Sequence, residues 1–142
     1  MEYISDIDNE FYVSEGNAAK YGSNYTNLTV WKKAHQLVVE IYKVSGRFPA
    51  EEKYGLISQL RRAAVSIPTN LAEGYGRTTS LDFKRFVMIA IGSANEVEYL
   101  LLLCRDIGYI DSNCYNEMYN KITEIIKMLY AVKKAIEVKL SK

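Results

Sequence analysis

From Leu28 onward, apolar residues recur at every third or fourth position. Val30, Ala34, Leu37, Ile41, Val44 and Phe48 are spaced by four, three, four, three and four residues. That spacing lays one stripe of side chains along a helix, which Gly46 and Pro49 close. A second helix opens at Glu51 and Glu52, whose charges suit the positive end of a helix; its seam runs Leu56, Leu60, Ala63, Ile67, Leu71. Pro68 stands inside that seam. Proline in a helix interior removes one backbone donor and costs about 3 kcal/mol, yet the seam crosses it without a change of phase. One kinked helix, ending at Gly74 and Gly76, is therefore predicted. Thr79 and Asp82 form a Thr-x-x-Asp cap for a third helix. Its seam is Phe83, Val87, Ala90, Ala94, Val97, Leu101 and Cys104, and it ends at Gly108. A fourth starts near Asp111 or Ser112 and reaches about Leu140, with Tyr115, Tyr119, Ile122, Ile126, Leu129, Ile136 and Leu140 on or near the inner face. The pattern predicts an all-α fold, an antiparallel up-down-up-down four-helix bundle over residues 28–142.

Two features exceed what a plain bundle needs. The third helix carries Phe86, Ile89, Ile91, Leu100, Leu102 and Leu103 outside its seam, and Leu100 to Leu103 point in every direction around the axis. A helix apolar all round is buried on more than one side, so Leu100, Leu102 and Leu103 are expected to meet another copy of the chain. The second helix carries a polar stripe of Gln59, Arg62, Ser66, Asn70, Glu73 and Arg77, again spaced by three and four. Arginine on such a face suits bidentate contacts to carboxylate or phosphate, although a solvated face would look the same. With Lys84, Arg85, Lys127, Lys133 and Lys134, Arg62 and Arg77 could make a composite basic surface.

Charge sharpens this picture. Residues 1–27 hold five acids (Glu2, Asp6, Asp8, Glu10, Glu15) against Lys20, whereas the rest of the chain has 17 basic and 12 acidic residues. The first 27 residues show no sustained period and read as an acidic, flexible arm. The body is mildly basic, compatible with a polyanionic partner but short of a dedicated nucleic-acid domain. No continuous apolar run approaches the ~18 residues of a membrane span, and no signal peptide is visible, so a cytoplasmic protein without a membrane partner is expected.

Catalytic chemistry finds little support. His35 is the one histidine and has no second ligand at metal spacing; a partly buried structural role is expected. Cys104 and Cys114 are too few for a zinc site and read as small core residues. Glu96 and Glu98, two apart, do not face each other on a helix. No enzyme, metal or cofactor is expected.

One combination is more specific: Gln59-Leu60-Arg61-Arg62-Ala63, then Ser66-Ile67-Pro68, then Asn70-Leu71-Ala72-Glu73-Gly74. With the segments around Val30-Trp31 and Phe83 to Ile110, it resembles the bacterial four-helix proteins encoded in intervening sequences of 23S rRNA genes, over roughly residues 28–140. The resemblance implies a cytoplasmic, non-enzymatic bundle that assembles as a ring, as a homopentamer. More distantly similar are the accessory variability proteins of diversity-generating retroelements, which bind nucleic acid and a reverse transcriptase. Arg61, Arg62, Asn70, Glu73 and Gly74 match the family motif, with no catalytic duty attached to them. The expected function is an oligomeric helical scaffold binding RNA or DNA, with a nucleic-acid-processing protein as a further candidate partner. The alternative is a protein-interaction adaptor without nucleic-acid affinity.

Overall fold

The computed structural model describes residues 24–142, and among these every regular element is helical. Four helices follow one another: α1 Thr29–Ser45, α2 Leu56–Tyr75, α3 Ser80–Asp106 and α4 Ser112–Leu140. Short 3-10 turns at Tyr25–Asn27 and Ala50–Glu52 precede α1 and α2. The turn at Tyr25–Asn27 packs on both α1 and α2, so the folded domain begins a few residues before Leu28. The remainder of the proposed arm, residues 1–23, lies outside the described residues.

Each boundary has a local cause. The Thr79 hydroxyl accepts from Asp82 N–H and Asp111 Oδ1 accepts from Cys114 N–H, fixing the starts of α3 and α4 as their sequences predict. The start of α2 is a correction. Glu51 and Glu52 lie in a separate 3-10 turn, and Glu52 serves the helix from outside it, its carboxylate accepting from Leu56 N–H at 2.9 Å. α2 is continuous through Pro68. In the turn around the missing N–H, Thr69 Oγ1 donates to the Val65 carbonyl and Asn70 Nδ2 to the Ser66 carbonyl, both at 2.7 Å. After α3 the chain turns at Gly108, whose φ of 83° favours a residue without a Cβ.

The seams of α2 and α3 are buried as predicted, and in α1 Val44 alone is only half-buried. In α4 the buried row differs from the one the spacing predicts. Tyr119 and Leu140 are exposed, and the inner row is Tyr115, Met118, Ile122, Ile125, Leu129, Val132 and Ile136, because the alternation starts with a step of three. The surplus of α3 also needs correcting. α3 packs against both α2 and α4, which broadens its buried arc. Ile91 and Leu100 join the core, while Leu102 and Leu103 are half-buried against it. Leu100 is therefore no contact for another copy. α3 does contain an 18-residue window of mean hydropathy 1.5, long and apolar enough by length and composition to cross a membrane.

Contacts between helices gather into two groups. In one, Gly74 lies against Phe83 and Phe86, the Tyr75 and Phe83 rings meet edge-on, and Lys84 reaches Glu137. In the other, Arg61 reaches the end of α1, the Phe48 and Tyr109 rings pack together, Tyr109 OH donates to Glu52, and Arg105 stands over the Tyr115 ring. Between α1 and α4, Lys33 pairs with Glu124 and Glu40 with Lys121, so partners fall along α4 as they rise along α1.

Candidate nucleic-acid interface

These groupings define two ends of the domain. One holds the first halves of α1 and α3 with the second halves of α2 and α4; the other holds the rest. When each helix is divided at its midpoint, the first end has ten basic residues and three acidic ones, and the second has seven and nine; Lys33 of the first end is paired across the dividing line with Glu124. The positive charge of the body therefore belongs to one end. Like charges collected there hold a field that opposite ends of mixed sign would cancel.

Six of the seven candidate cations lie at this basic end: Arg77, Lys84, Arg85, Lys127, Lys133 and Lys134. Lys84 and Lys133 converge on one carboxylate, with Nζ 3.3 and 2.9 Å from Glu137 Oε1. Hydrogen bonds from Lys133 and Lys84 hold the Glu137 carboxyl below the usual glutamate range. Two cations on one anion leave the cluster positive. Arg85 stands 3.9 Å from Asp82, a loose pair on an exposed surface. Arg77 lies two residues past the end of α2, and its guanidinium lies over the Phe86 ring, 4.8 Å from the centroid. Lys127 and Lys134 are exposed. At the same end Trp31 stacks on His35, ring centroids 5.0 Å apart and planes within 5°, with Tyr25 edge-on to Trp31. His35 is exposed, a correction to its expected partial burial. Arg62 is exposed on the first half of α2, about 20 Å from its end at 1.5 Å per residue, and Lys127, just past the middle of α4, stands equally far from the end of that helix, so these two mark the inner limit of the group.

The polar stripe of α2 divides the same way. Ser66 meets Ser93 of α3 at 2.8 Å and Asn70 Nδ2 donates to the Ser66 hydroxyl at 3.0 Å, so its centre ties α2 to α3. Gln59, Arg62, Glu73 and Arg77 are exposed.

A second surface runs along the outside of α3. Leu81, Met88, Ile89 and Tyr99 are 57, 51, 48 and 59% exposed. Gly92 lies among them, and a Cβ added there would meet nothing within 4 Å. Glycine in a helix interior costs about 1 kcal/mol relative to alanine, and no contact within the chain accounts for it. This exposed row, absent from the sequence reading except for Ile89, replaces Leu100 as the apolar surface available to another chain.

Reactive groups are quiet. Burial pushes the Cys104 thiol up to about 11, and burial with the Asp111 charge raises that of Cys114. Among the described residues, no three of His, Cys, Asp and Glu gather where they could hold a metal ion.

The family model of the 23S rRNA-intervening sequence protein matches residues 26–131, nearly the whole of the four-helix domain. The chain belongs to this family. A crystal structure of a protein of unknown function from the S23 ribosomal protein family of Bacteroides thetaiotaomicron is also similar, with 29% identity and a TM-score of 0.70. The match covers 75% of this chain and 99% of that one. No curated protein matches at a significant level. Within the family motif the structure separates internal from outward roles. Arg61 Nε donates to the buried Ser45 hydroxyl at 2.9 Å and Nη2 to the Tyr42 carbonyl at 3.2 Å, closing the end of α1. Asn70 braces the Pro68 turn. A Cβ on Gly74 would come within 2.7 Å of Phe86 Cβ, so glycine there permits the approach of α2 to α3. Arg62 and Glu73 are left facing solvent.

Proposed function

We propose that this chain is a non-enzymatic helical scaffold that assembles with copies of itself and binds RNA or other nucleic acid through its basic end. The arrangement is an antiparallel up-down-up-down bundle, a reading supported by the two groups of cross-helix contacts and by the opposed pairing of Lys33–Glu124 and Glu40–Lys121. The observation that carries the function is the separation of charge, ten basic against three acidic residues at one end. Phosphate contacts need no pocket, only cations that a duplex or strand can reach. Copies joined through the outer face of α3, in a ring and as a pentamer, would present several such ends to one strand. Weak patches then act together at a raised effective concentration. The site of action is the cytoplasm.

Binding of a fluorescent single-stranded RNA, measured across a salt series, tests this. Affinity should fall linearly in log salt with little dependence on sequence. Absence of salt-sensitive RNA or DNA binding at low ionic strength would favour the protein-interaction adaptor, which the exposed Leu81, Met88, Ile89 and Tyr99 also suit. Light scattering tests assembly: a mass several times 16.2 kDa is expected. Met88→Glu with Tyr99→Glu should shift it downward, because both side chains are exposed within one chain and buried only in an oligomer.

A further inference from the structure

We infer that the basic end takes single-stranded nucleic acid, whose unpaired bases stack on the exposed ring of Tyr130 and on the imidazole of His35. The inference rests on the proposed function and names its ligand class, a strand with open base faces. In a duplex those faces lie against one another and only base edges show in the grooves.

The first observation is on α4. Lys127, Tyr130 and Lys134 recur at spacings of three and four, which sets them on one face of the helix. Tyr130 is 50% exposed, and both lysines are exposed. No acid stands between Glu124 and Glu137, and those two are engaged elsewhere, Glu124 with Lys33 and Glu137 with Lys84 and Lys133. Among the described residues, neither Lys127 nor Lys134 pairs with a carboxylate, and the Tyr130 ring meets no other ring or cation. A ring with a cation on either side can hold a base against its face while the neighbouring phosphates meet the charges.

The second observation is on α1. Trp31 is half-buried and packs against the core, and His35, one turn further on, stacks on the indole with planes within 5°. Tyr25 meets the same indole edge-on. One side of the imidazole is thus backed by an anchored aromatic, and because His35 is exposed its other side is open to a base. Rings at the opposite end are occupied instead: Arg61 lies over Tyr42, Arg105 over Tyr115, and Tyr109 is held by Phe48 and Glu52.

The test uses the full chain with three probes: an oligothymidine strand, the same strand paired into a duplex, and inorganic polyphosphate, which carries charge without bases. Trp31 is the one tryptophan of the chain, so its emission reports on the α1 stack directly. Oligothymidine should bind more tightly than the duplex despite its lower charge density and should quench Trp31, whereas polyphosphate should bind without quenching. Tyr130→Ala and His35→Ala should each weaken oligothymidine binding about tenfold, with the slope of log affinity against log salt unchanged because no phosphate contact is lost. Tyr130→Phe, which keeps the ring, should bind as the parent does. Tyr54→Ala, which removes an exposed ring from the opposite end, should also leave binding unchanged. Equal affinity for strand and duplex, with Tyr130→Ala and His35→Ala both binding as the parent, would overturn the inference and leave phosphate binding in place. No salt-sensitive binding of any of the three probes would overturn the proposed function as well.

Discussion

The two ends of the domain use their cations differently. At the end where α1 meets α2, Arg61 is folded inward: it donates to Ser45 and to the Tyr42 carbonyl and its guanidinium lies 4.5 Å from the Tyr42 ring centroid. Arg105 likewise covers the Tyr115 ring and pairs with Asp106. Those charges finish helix ends and cover apolar surface. At the other end, Lys127 and Lys134 face solvent, while Lys84 and Lys133 share one glutamate. A cation that satisfies a carbonyl is part of the fold, whereas one that exceeds its anions is available to a partner. Substitutions should therefore trade places between the ends, with stability lost at one and affinity at the other.

Packing at the basic end limits that contrast, and it gives the largest expected effect. Gly74→Leu forces α2 from α3 at Phe86 and should destabilise by about 3 kcal/mol in urea unfolding. Next, Arg61→Ala should cost about 2 kcal/mol, as two charge-assisted bonds and the ring contact are lost. Arg61→Lys should recover little, because an ammonium cannot reach both acceptors as the planar fork does. By contrast, Lys127→Gln and Lys134→Gln should each stay within about 0.5 kcal/mol of the parent while weakening RNA binding. A stability loss at Lys134 equal to that at Arg61 would erase the distinction.

The smallest effect is a pH dependence. Because the folded-state Glu137 carboxyl lies below its ordinary 4.5, the fold binds fewer protons there than the unfolded chain does. Its contribution is present above the ordinary value and is lost as pH falls through the depressed one. The acid-side slope of stability should be slightly shallower in Glu137→Gln, and a carboxyl titration of Glu137 should fall below 4.5.

Much of this was written in the apolar spacing. A phase unbroken across Pro68 predicted one helix, and Thr79 and Asp111 marked two starts that the structure keeps. Periodicity along one helix could not say how many neighbours that helix has. Leu100 therefore read as surplus although α2 and α4 flank α3 on both sides. The cap that Arg61 gives to α1 spans sixteen residues of sequence, and the requirement for glycine at 74 arises only where Phe86 approaches. The candidate cations could be named singly from sequence. Their collection toward one end depends on which helix halves come together.

That collection is tested most directly by removing the same charge from each end and comparing the salt dependence of RNA binding. Lys127→Gln, Lys133→Gln, Lys134→Gln should weaken binding and reduce the slope of log affinity against log salt by up to about 2, at roughly 0.7 per phosphate contact on a single strand. Lys43→Gln, Arg47→Gln, Lys53→Gln, which removes three positive charges from the opposite end, should leave the slope nearly unchanged. Equal losses from the two triple variants would mean that net charge alone governs binding, contradicting a site at the basic end.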